Sequence, residues 1–452
     1  MKKLLICIVS EHAVPNILSI DYFMPDSLLF LYTQKFNNII SYTLNSVDML
    51  LRSKRSLVGL IDKENPGECF YKIDDNVYTL TISEESVYSD VEKINSWLLK
   101  NGVDYDEIIY NITGGTKLMS ISLYDIAKSN TNNKMSKIVY LPLKKNTIIT
   151  NIAQKDEEVK IIPTRLSVKQ FCAAYGVEII NEEKLDKKIS FATEYKDVSK
   201  WLMNNYFLQD EKTESPVYRL LSFFYQKLIS YRNNDKFKQD NFIFEFPSKE
   251  WNLYKEETKA AKELFDFDNF KSRSSVENLP NKTLIKVTLD KKDVEFFTGG
   301  WLEEFCFNEI NDLKNETEDL IDDVLLNPDI KSKENNAANN EIDVMFTSRN
   351  RIYMLECKSL QQQRDKSNEI IYKINAIQGK VGRLSVESFL VSTAVDNILE
   401  IPKNKNNKFS HTEYPIKSSA IKRAKELNTT IIHPFKIAKE LKNEIKKVLE
   451  LN

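Results

Sequence analysis

Glu107-Ile108-Ile109-Tyr110-Asn111-Ile112-Thr113-Gly114-Gly115-Thr116-Lys117 is an apolar run that ends on two glycines and passes into a helical pattern from about Lys117 to Lys128. Such a run reads as a strand buried on both faces, followed by a tight turn into a helix. The same alternation surrounds it. Leu4–Val9 and Ser27–Tyr32 are short continuous apolar runs, and Lys137–Leu143 is another. Between them, Phe36, Ile39, Ile40, Leu44, Val47, Leu50 and Leu51 recur at helical spacing over Lys35–Lys54, and Asp90–Lys100 reads as a further helix. Strands without polar alternation, separated by helices, predict a parallel sheet covered on both sides. Residues 1–145 therefore read as a Rossmann-like α/β domain.

The turn itself carries chemistry. Two glycines let backbone approach a ligand closely, and the amides at the start of the following helix favour an anion. Thr113, Thr116 and Lys117 can hydrogen-bond phosphate or ribose. The spacing is not that of a Walker A loop. The first strand exits through Ser10-Glu11-His12 at the same carboxyl edge of the sheet, where open α/β sheets bind ligands. The bland alternative is a tight turn beside a packed loop histidine.

Residues 146–282 read as a connector with a helical insertion. A short helix spans Ser167–Tyr175, and Val217–Tyr231 and Lys249–Leu264 show helical patterns. No catalytic signature lies there. From residue 283 to 452 the pattern changes. Leu284, Ile285, Val287 and Leu289 lead through Lys291–Asp293 to Val294–Phe297, which reads as a hairpin. Gly299-Gly300 precedes a helix beginning near Trp301. Two strand-like runs follow, Glu341–Phe346 and Arg351–Cys357, then a polar helix, the strand Ser388–Ser392, the helix Ser418–Leu427, the strand Thr429–Ile432 and a terminal helix. This is a compact mixed α/β unit in which only two of the leading strands are plain.

Those two strands bring acids together. Asn340-Glu341-Ile342-Asp343-Val344 and Met354-Leu355-Glu356-Cys357-Lys358 each carry a carboxylate in or beside an apolar strand. Adjacent antiparallel strands place such groups within reach of one another, and Glu356 and Lys358, two apart, share one face. Asp343, Glu356 and the Cys357 backbone carbonyl suit an oxygen-preferring Mg²⁺ or Mn²⁺. A lysine beside the ion can orient water and stabilise developing charge.

Composition narrows the rest. There are 64 basic and 66 acidic residues, a formal charge of −2, so a polyanion must be met by local patches. Five scattered cysteines without a CxxC pair argue against disulfides and structural zinc, and fit a reducing cytoplasm. Three separated histidines leave little for histidine-based chemistry. No apolar stretch approaches a membrane span.

The carboxylate–lysine set resembles the PD-(D/E)xK nuclease superfamily, whose core order is α-β-β-β-α-β. That resemblance implies Asp343 and Glu356 as metal ligands, Lys358 as the catalytic lysine and Glu303 as the helix glutamate, with Glu304 the competing choice. It also implies a contribution from the next helix, from Tyr372, Lys373, Gln378 or Lys380. The Thr113-to-Lys117 turn resembles the signature of CARF domains, the CRISPR-associated Rossmann fold. The pairing, with Gly299-Gly300-Trp301-Leu302-Glu303 and the Arg165–Gly176 segment, looks like the cyclic-oligoadenylate-activated nucleases of type III CRISPR systems. Resemblance to that family implies a homodimer with a composite pocket for a cyclic oligoadenylate, most often the tetra-adenylate, lined by Ser10, Glu11, His12, Thr113, Gly114, Gly115, Thr116 and Lys117. It also implies cleavage of DNA, RNA or both, with single strands favoured. The competing reading is a ligand-gated nucleic-acid-binding regulator whose nuclease fold is inactive.

Overall fold

The structure, a computed structural model, describes residues 1–57, 69–83, 87–129, 135–142, 145–152, 155–207, 215–247, 252–317, 320–333, 339–359, 367–380, 386–393, 418–432 and 437–451. Leu143 and Lys249, expected as ends of a strand and a helix, lie outside these residues.

The N-terminal strands are β1 (Lys3–Ile8), β2 (Ser27–Tyr32), β3 (Val77–Thr81), β4 (Glu107–Asn111) and β5 (Met135–Tyr140), with β6 (Thr147–Thr150) and β7 (Glu158–Ile161) after them. They form one sheet in the order β3-β2-β1-β4-β5-β6-β7. The first five are parallel, and β6 and β7 join antiparallel. The apolar runs predicted double-sided burial, and the packing shows it. Leu5, Cys7 and Val9 enter one core while Leu4, Ile6 and Ile8 enter the other. The segment just after Asn146, read from sequence as connector, instead lengthens the sheet by two strands.

The middle of the chain departs further from expectation. It holds helices Glu182–Glu194, Lys196–Tyr206, Pro216–Arg232 and Asn252–Phe265, but also a three-stranded antiparallel sheet. Its strands are β9 (Gln239–Pro247), β10 (Ser274–Leu279) and β11 (Lys282–Asp290), ordered β10-β11-β9, while β8 (Val177–Ile179) pairs elsewhere. Phe242, Phe244 and Phe246 alternate inward against Phe224, Phe265 and Phe297. A purely helical insertion is thus a misreading of a period-two aromatic strand. The expected hairpin through Lys291–Phe297 is also corrected. Asp290 caps a helical turn at Lys291–Glu295, its carboxylate accepting from the Asp293 amide, so Val294 and Phe297 pack from helical backbone.

The C-terminal sheet runs β12-β15-β16-β17-β18, from β12 (Asp323–Leu326), β15 (Val344–Ser348), β16 (Arg351–Lys358), β17 (Val386–Ser392) and β18 (Thr429–Ile432). β12 supplies the strand missing from the sequence reading. The helices Trp301–Glu316 and Ile437–Leu451 cover one face through Phe305, Cys306, Leu441 and Ile445. A small sheet of β8, β13 (Asp329–Ser332) and β14 (Asn340–Glu341) ties the connector to this unit. No helix among the described residues is long and apolar enough to cross a membrane.

The turn between β15 and β16 also ties the C-terminal unit to the segment that leaves the N-terminal sheet. Arg349 and Asn350 are left-handed (φ 48° and 61°), as a tight two-residue hairpin requires. The buried Asn350 amide accepts from Leu166 N (2.9 Å) and donates to Thr164 O (2.8 Å) and Asn146 Oδ1 (2.6 Å). Asn350→Gly keeps the backbone conformation but leaves these buried groups unpaired. It is expected to cost about 2 kcal/mol in chemical denaturation. An unchanged midpoint would show that the bracket contributes nothing.

Candidate functional site

Two neighbouring strands and one helix build the C-terminal site. β15 and β16 pair antiparallel with Val344 opposite Leu355, so Asp343 and Glu356 lie one residue further along the same register. Val344, Leu355 and Cys357 enter the core beneath the helix Trp301–Glu316, while Met345 and Met354 face the other way. By strand alternation Asp343, Glu356 and Lys358 share that second face. Both acids are buried, at 8% and 3% exposure. Asp343 Oδ2 accepts from the Cys357 amide (2.6 Å), which ties the end of β15 to the middle of the Glu-Cys-Lys run. Lys358 Nζ stands 2.7 Å from Glu356 Oε1.

The two remaining choices left by sequence are separated by geometry. Glu303 accepts from Asn327 Nδ2 (2.7 Å) and lies in the field of Asp343 and Lys358. Glu304 is buried among Glu303, Asp293 and Glu295, with Oε2 lacking a partner. Of the helix candidates on Ser367–Lys380, Lys373 reaches Glu356 Oε1 (2.9 Å). Gln378 is spent on Ser388 Oγ, and Tyr372 is exposed beneath the Arg423 guanidinium. The Lys380 side chain lies outside the described residues. Asn327 escaped the sequence reading; its only signal was an Asn-Pro-Asp turn at the end of β12.

The electrostatics follow from crowding. Burial pushes the Asp343 carboxyl well above the usual carboxylate range, and the charges of Glu356 and Glu303 push further; Lys358 and the Cys357 amide oppose them. Burial raises Glu303 too, and the Asn327 bond pulls it back. Burial works against the Lys358 ammonium, but Glu356, Asp343 and Glu303 outweigh it and hold the amine charged above its ordinary range. Three carboxyls confined together with lysines at their rim fit a divalent cation, whose charge would relieve their mutual repulsion. As they stand, no three acidic, cysteine or histidine side chains among the described residues are grouped so that they could hold a metal ion. Lysine amines contact Glu356 instead.

The N-terminal edge has a different logic. The chain builds outward from β1 to β3, then returns to β4 on the other side of β1, so the crevice between the β1 and β4 exits is a topological switch point. Asn111 spans it, donating to Asn16 Oδ1 (3.0 Å) and Ser19 Oγ (3.1 Å), while Asn16 donates to Ile8 O (3.0 Å). A Cβ on Gly114 would sit 2.3 Å from Ile8 O, and Gly115 has φ 77°. Both glycines are therefore required by the approach of the turn to β1, whatever a ligand needs. Thr113 Oγ1 accepts from Leu141 N (2.9 Å), and Ser10 Oγ from His12 N (3.3 Å). Thr116 and Lys117 are exposed. His12 stands 3.5 Å from Glu11, its Nδ1 buried without a partner. Burial holds that imidazole below its ordinary pKa, against the pull of Glu11.

Glu303 and Glu304 should respond in opposite ways. In the fold, burial, then Glu303, keeps Glu304 protonated to higher pH than in the unfolded chain. The native state therefore binds the extra proton, and Glu304 costs stability as pH rises above the unfolded carboxyl value. Glu304→Gln is expected to raise the thermal midpoint at pH 8 and retain cleavage, whereas Glu303→Gln loses cleavage. Loss of cleavage in Glu304→Gln alone would reverse the assignment.

Comparisons with known proteins bear on both sites. The family described as Card1 CARF domain matches residues 4–171, and the family described as Card1-like, endonuclease domain matches residues 290–415. Comparison with curated proteins finds no match. Among solved structures, protein VC1899 from Vibrio cholerae is 14% identical, with TM-score 0.67 over 99% of this chain and 98% of that one. Can2 from Sulfobacillus thermosulfidooxidans, solved with cyclic tetra-adenylate, is 16% identical, with TM-score 0.61 over 99% of each. At that identity the two structures share the fold along the whole chain. The switch-point turn lies in the one matched segment and the acids of the two strands in the other, so this chain is a CARF nuclease, joining a CARF domain of the Card1 type to a Card1-like endonuclease domain.

Proposed function

We propose that the chain is a divalent-metal-dependent endonuclease, active on DNA, RNA or both with single strands favoured, and switched on by a cyclic oligoadenylate bound at the CARF edge. The observation that carries this is the clustering of Asp343, Glu356 and Lys358 at the β15–β16 pair, with Glu303 near enough on its helix to act on both Asp343 and Lys358. A ligand-gated regulator with an inactive nuclease would have no use for an Asp343 carboxyl raised by burial and by the charges of Glu356 and Glu303, beside a buried-stem lysine.

Asp343 and Glu356 would hold Mg²⁺ or Mn²⁺, with the Cys357 carbonyl, and Glu303 would complete the site. Held there, such an ion would supply polarisation of a phosphodiester and a lowered pKa for a nearby water. The chain's own residues do the rest. The Cys357 amide fixes the Asp343 carboxylate, so the two strands move as one. Lys358, kept charged by its acidic neighbours, can orient the attacking water and meet the charge that develops on the phosphate. Lys373 holds the same Glu356 oxygen from the opposite helix and can greet a substrate phosphate.

For the activator, a polyanion suits the start of the helix Lys117–Ser129 and the exposed Lys117. His12, neutral and with an unpartnered Nδ1, can hydrogen-bond a ribose or base. Ser10, Glu11, Thr113, Gly114, Gly115 and Thr116 frame the same crevice. Leu118 and Ile121, on that helix, are 54% and 57% exposed. Exposed leucine and isoleucine beside the crevice suit a second copy of the chain, and a two-fold dimer matches a cyclic ligand of even ring size. Can2, which shares the fold, was solved with cyclic tetra-adenylate.

The test is cleavage of labelled single-stranded DNA and RNA with Mn²⁺, with and without each cyclic oligoadenylate. Lys358→Ala is expected to abolish cleavage and keep activator binding. Lys117→Ala is expected to weaken activator binding about tenfold and leave cleavage at saturating activator. Full cleavage by Lys358→Ala would remove the lysine from the chemistry; unchanged affinity in Lys117→Ala would remove that residue from the pocket.

A further inference from the structure

Asn327 sits between β12 and β13, 8% exposed, in the left-handed region at φ 48°. Three of its polar groups are engaged across an element boundary. Its backbone amide donates to Asp343 O (2.9 Å). Its side-chain Nδ2 donates to Glu303 Oε2 (2.7 Å). Its carbonyl accepts from Asn181 Nδ2 (2.9 Å). One residue thus touches two of the three acids of the nuclease site and one residue of the connector.

Asn181 is equally committed. It is 7% exposed, and its Oδ1 accepts from Asp329 N (2.9 Å). It lies two residues past the end of β8, which pairs with β13 through Ile179–Ile330, Glu178–Lys331 and Val177–Ser332. Upstream, the helix Val168–Ala174 is fastened to the CARF domain, where Ser46 Oγ donates to Gln170 O (2.8 Å). Gly176, at φ 67°, lies so close to Tyr42 that a Cβ would stand 2.5 Å from its ring. The long CARF helix Asn37–Leu57 carries both Tyr42 and Ser46. A continuous, tightly packed path therefore leads from that helix through β8 and Asn181 to Asn327 and the acids.

We infer that Asn327 is a positioning residue for the Glu303 carboxylate, and that Asn181 makes its placement depend on the connector and so on the CARF domain. This rests on the proposed activator-switched cleavage. A carboxylate on a helix must be aimed at a site whose other acids lie on strands; the Asn327 amide aims it from the strand side. A shift of β8 relative to the CARF helix moves the Asn327 carbonyl through Asn181, and with it the amide that holds Glu303.

The test uses the full chain, Mn²⁺, a single-stranded substrate and cyclic tetra-adenylate. Asn327→Gly keeps the left-handed backbone and removes the amide. Its kcat should fall about tenfold or more, with KM within about twofold and the thermal midpoint nearly unchanged. Asn327→Asp fills the same space without the donor and should be no better; recovery of kcat in Asn327→Asp would mean that Asn327 only fills space, and overturn the inference. Asn181→Asp keeps the acceptor for Asp329 but loses the donor to Asn327. It should cut the ratio of stimulated to basal cleavage about fivefold while activator Kd stays within about twofold. Stimulated wild type alongside undiminished kcat in Asn327→Gly, or an undiminished ratio in Asn181→Asp, overturns the inference alone. Wild type that does not cleave, or is not stimulated by any cyclic oligoadenylate, overturns the proposed function and this inference with it.

Discussion

Two strands force acids into a space that disfavours them. Asp343 and Glu356 fall opposite one another because the β15–β16 turn is only two residues long, and a slip of either strand by one residue would turn its acid toward the apolar core. The charges of Glu356 and Glu303 both work against the buried Asp343 carboxylate. A fold does not keep such a group of like charges for stability; surrounding charges must offset them, and here Lys358 and Lys373 do so in part.

The same hairpin also ties the molecule together. Its turn is bonded to the backbone around Thr164 and Leu166, and Thr347 Oγ1 donates to Leu166 O (2.8 Å). Asp323, at the start of the neighbouring strand β12, accepts from Val168 N (3.0 Å). The nuclease sheet therefore does not hang from a loose linker. Its rim is clamped to the segment that leaves the CARF sheet, and the small β8–β13–β14 sheet adds a second attachment near the acids.

Much of this was legible in the sequence where one physical rule dominated. Continuous apolar runs such as Leu4–Val9 admit little except a doubly covered strand, and the Gly-Gly turn with its Thr and Lys marked the edge of the sheet. The Glu-Cys-Lys alternation placed Glu356 and Lys358 on one face without coordinates. Where local signals competed, the reading slipped. Phe242-Ile243-Phe244-Glu245-Phe246 alternates as a strand should, yet it lay between long helical patterns and was absorbed into them. Val294–Phe297 has strand-like residues, but the Asp290–Asp293 capping box turns the chain into a helix. The glycines Gly114 and Gly115 suggested ligand approach, whereas their nearest demand is the carbonyl and side chain of Ile8. Asn327 could not be picked out, because its role depends on three partners 24, 16 and 146 residues away in the chain.

The most direct test is calorimetric titration of Mn²⁺ into the metal-free chain, beside Asp343→Asn and Glu356→Gln, without substrate or activator. One ion per chain in the wild type, lost in both variants while their folds persist, is the expected result. Equal Mn²⁺ binding by all three proteins would mean that the paired carboxyls of β15 and β16 do not hold the ion.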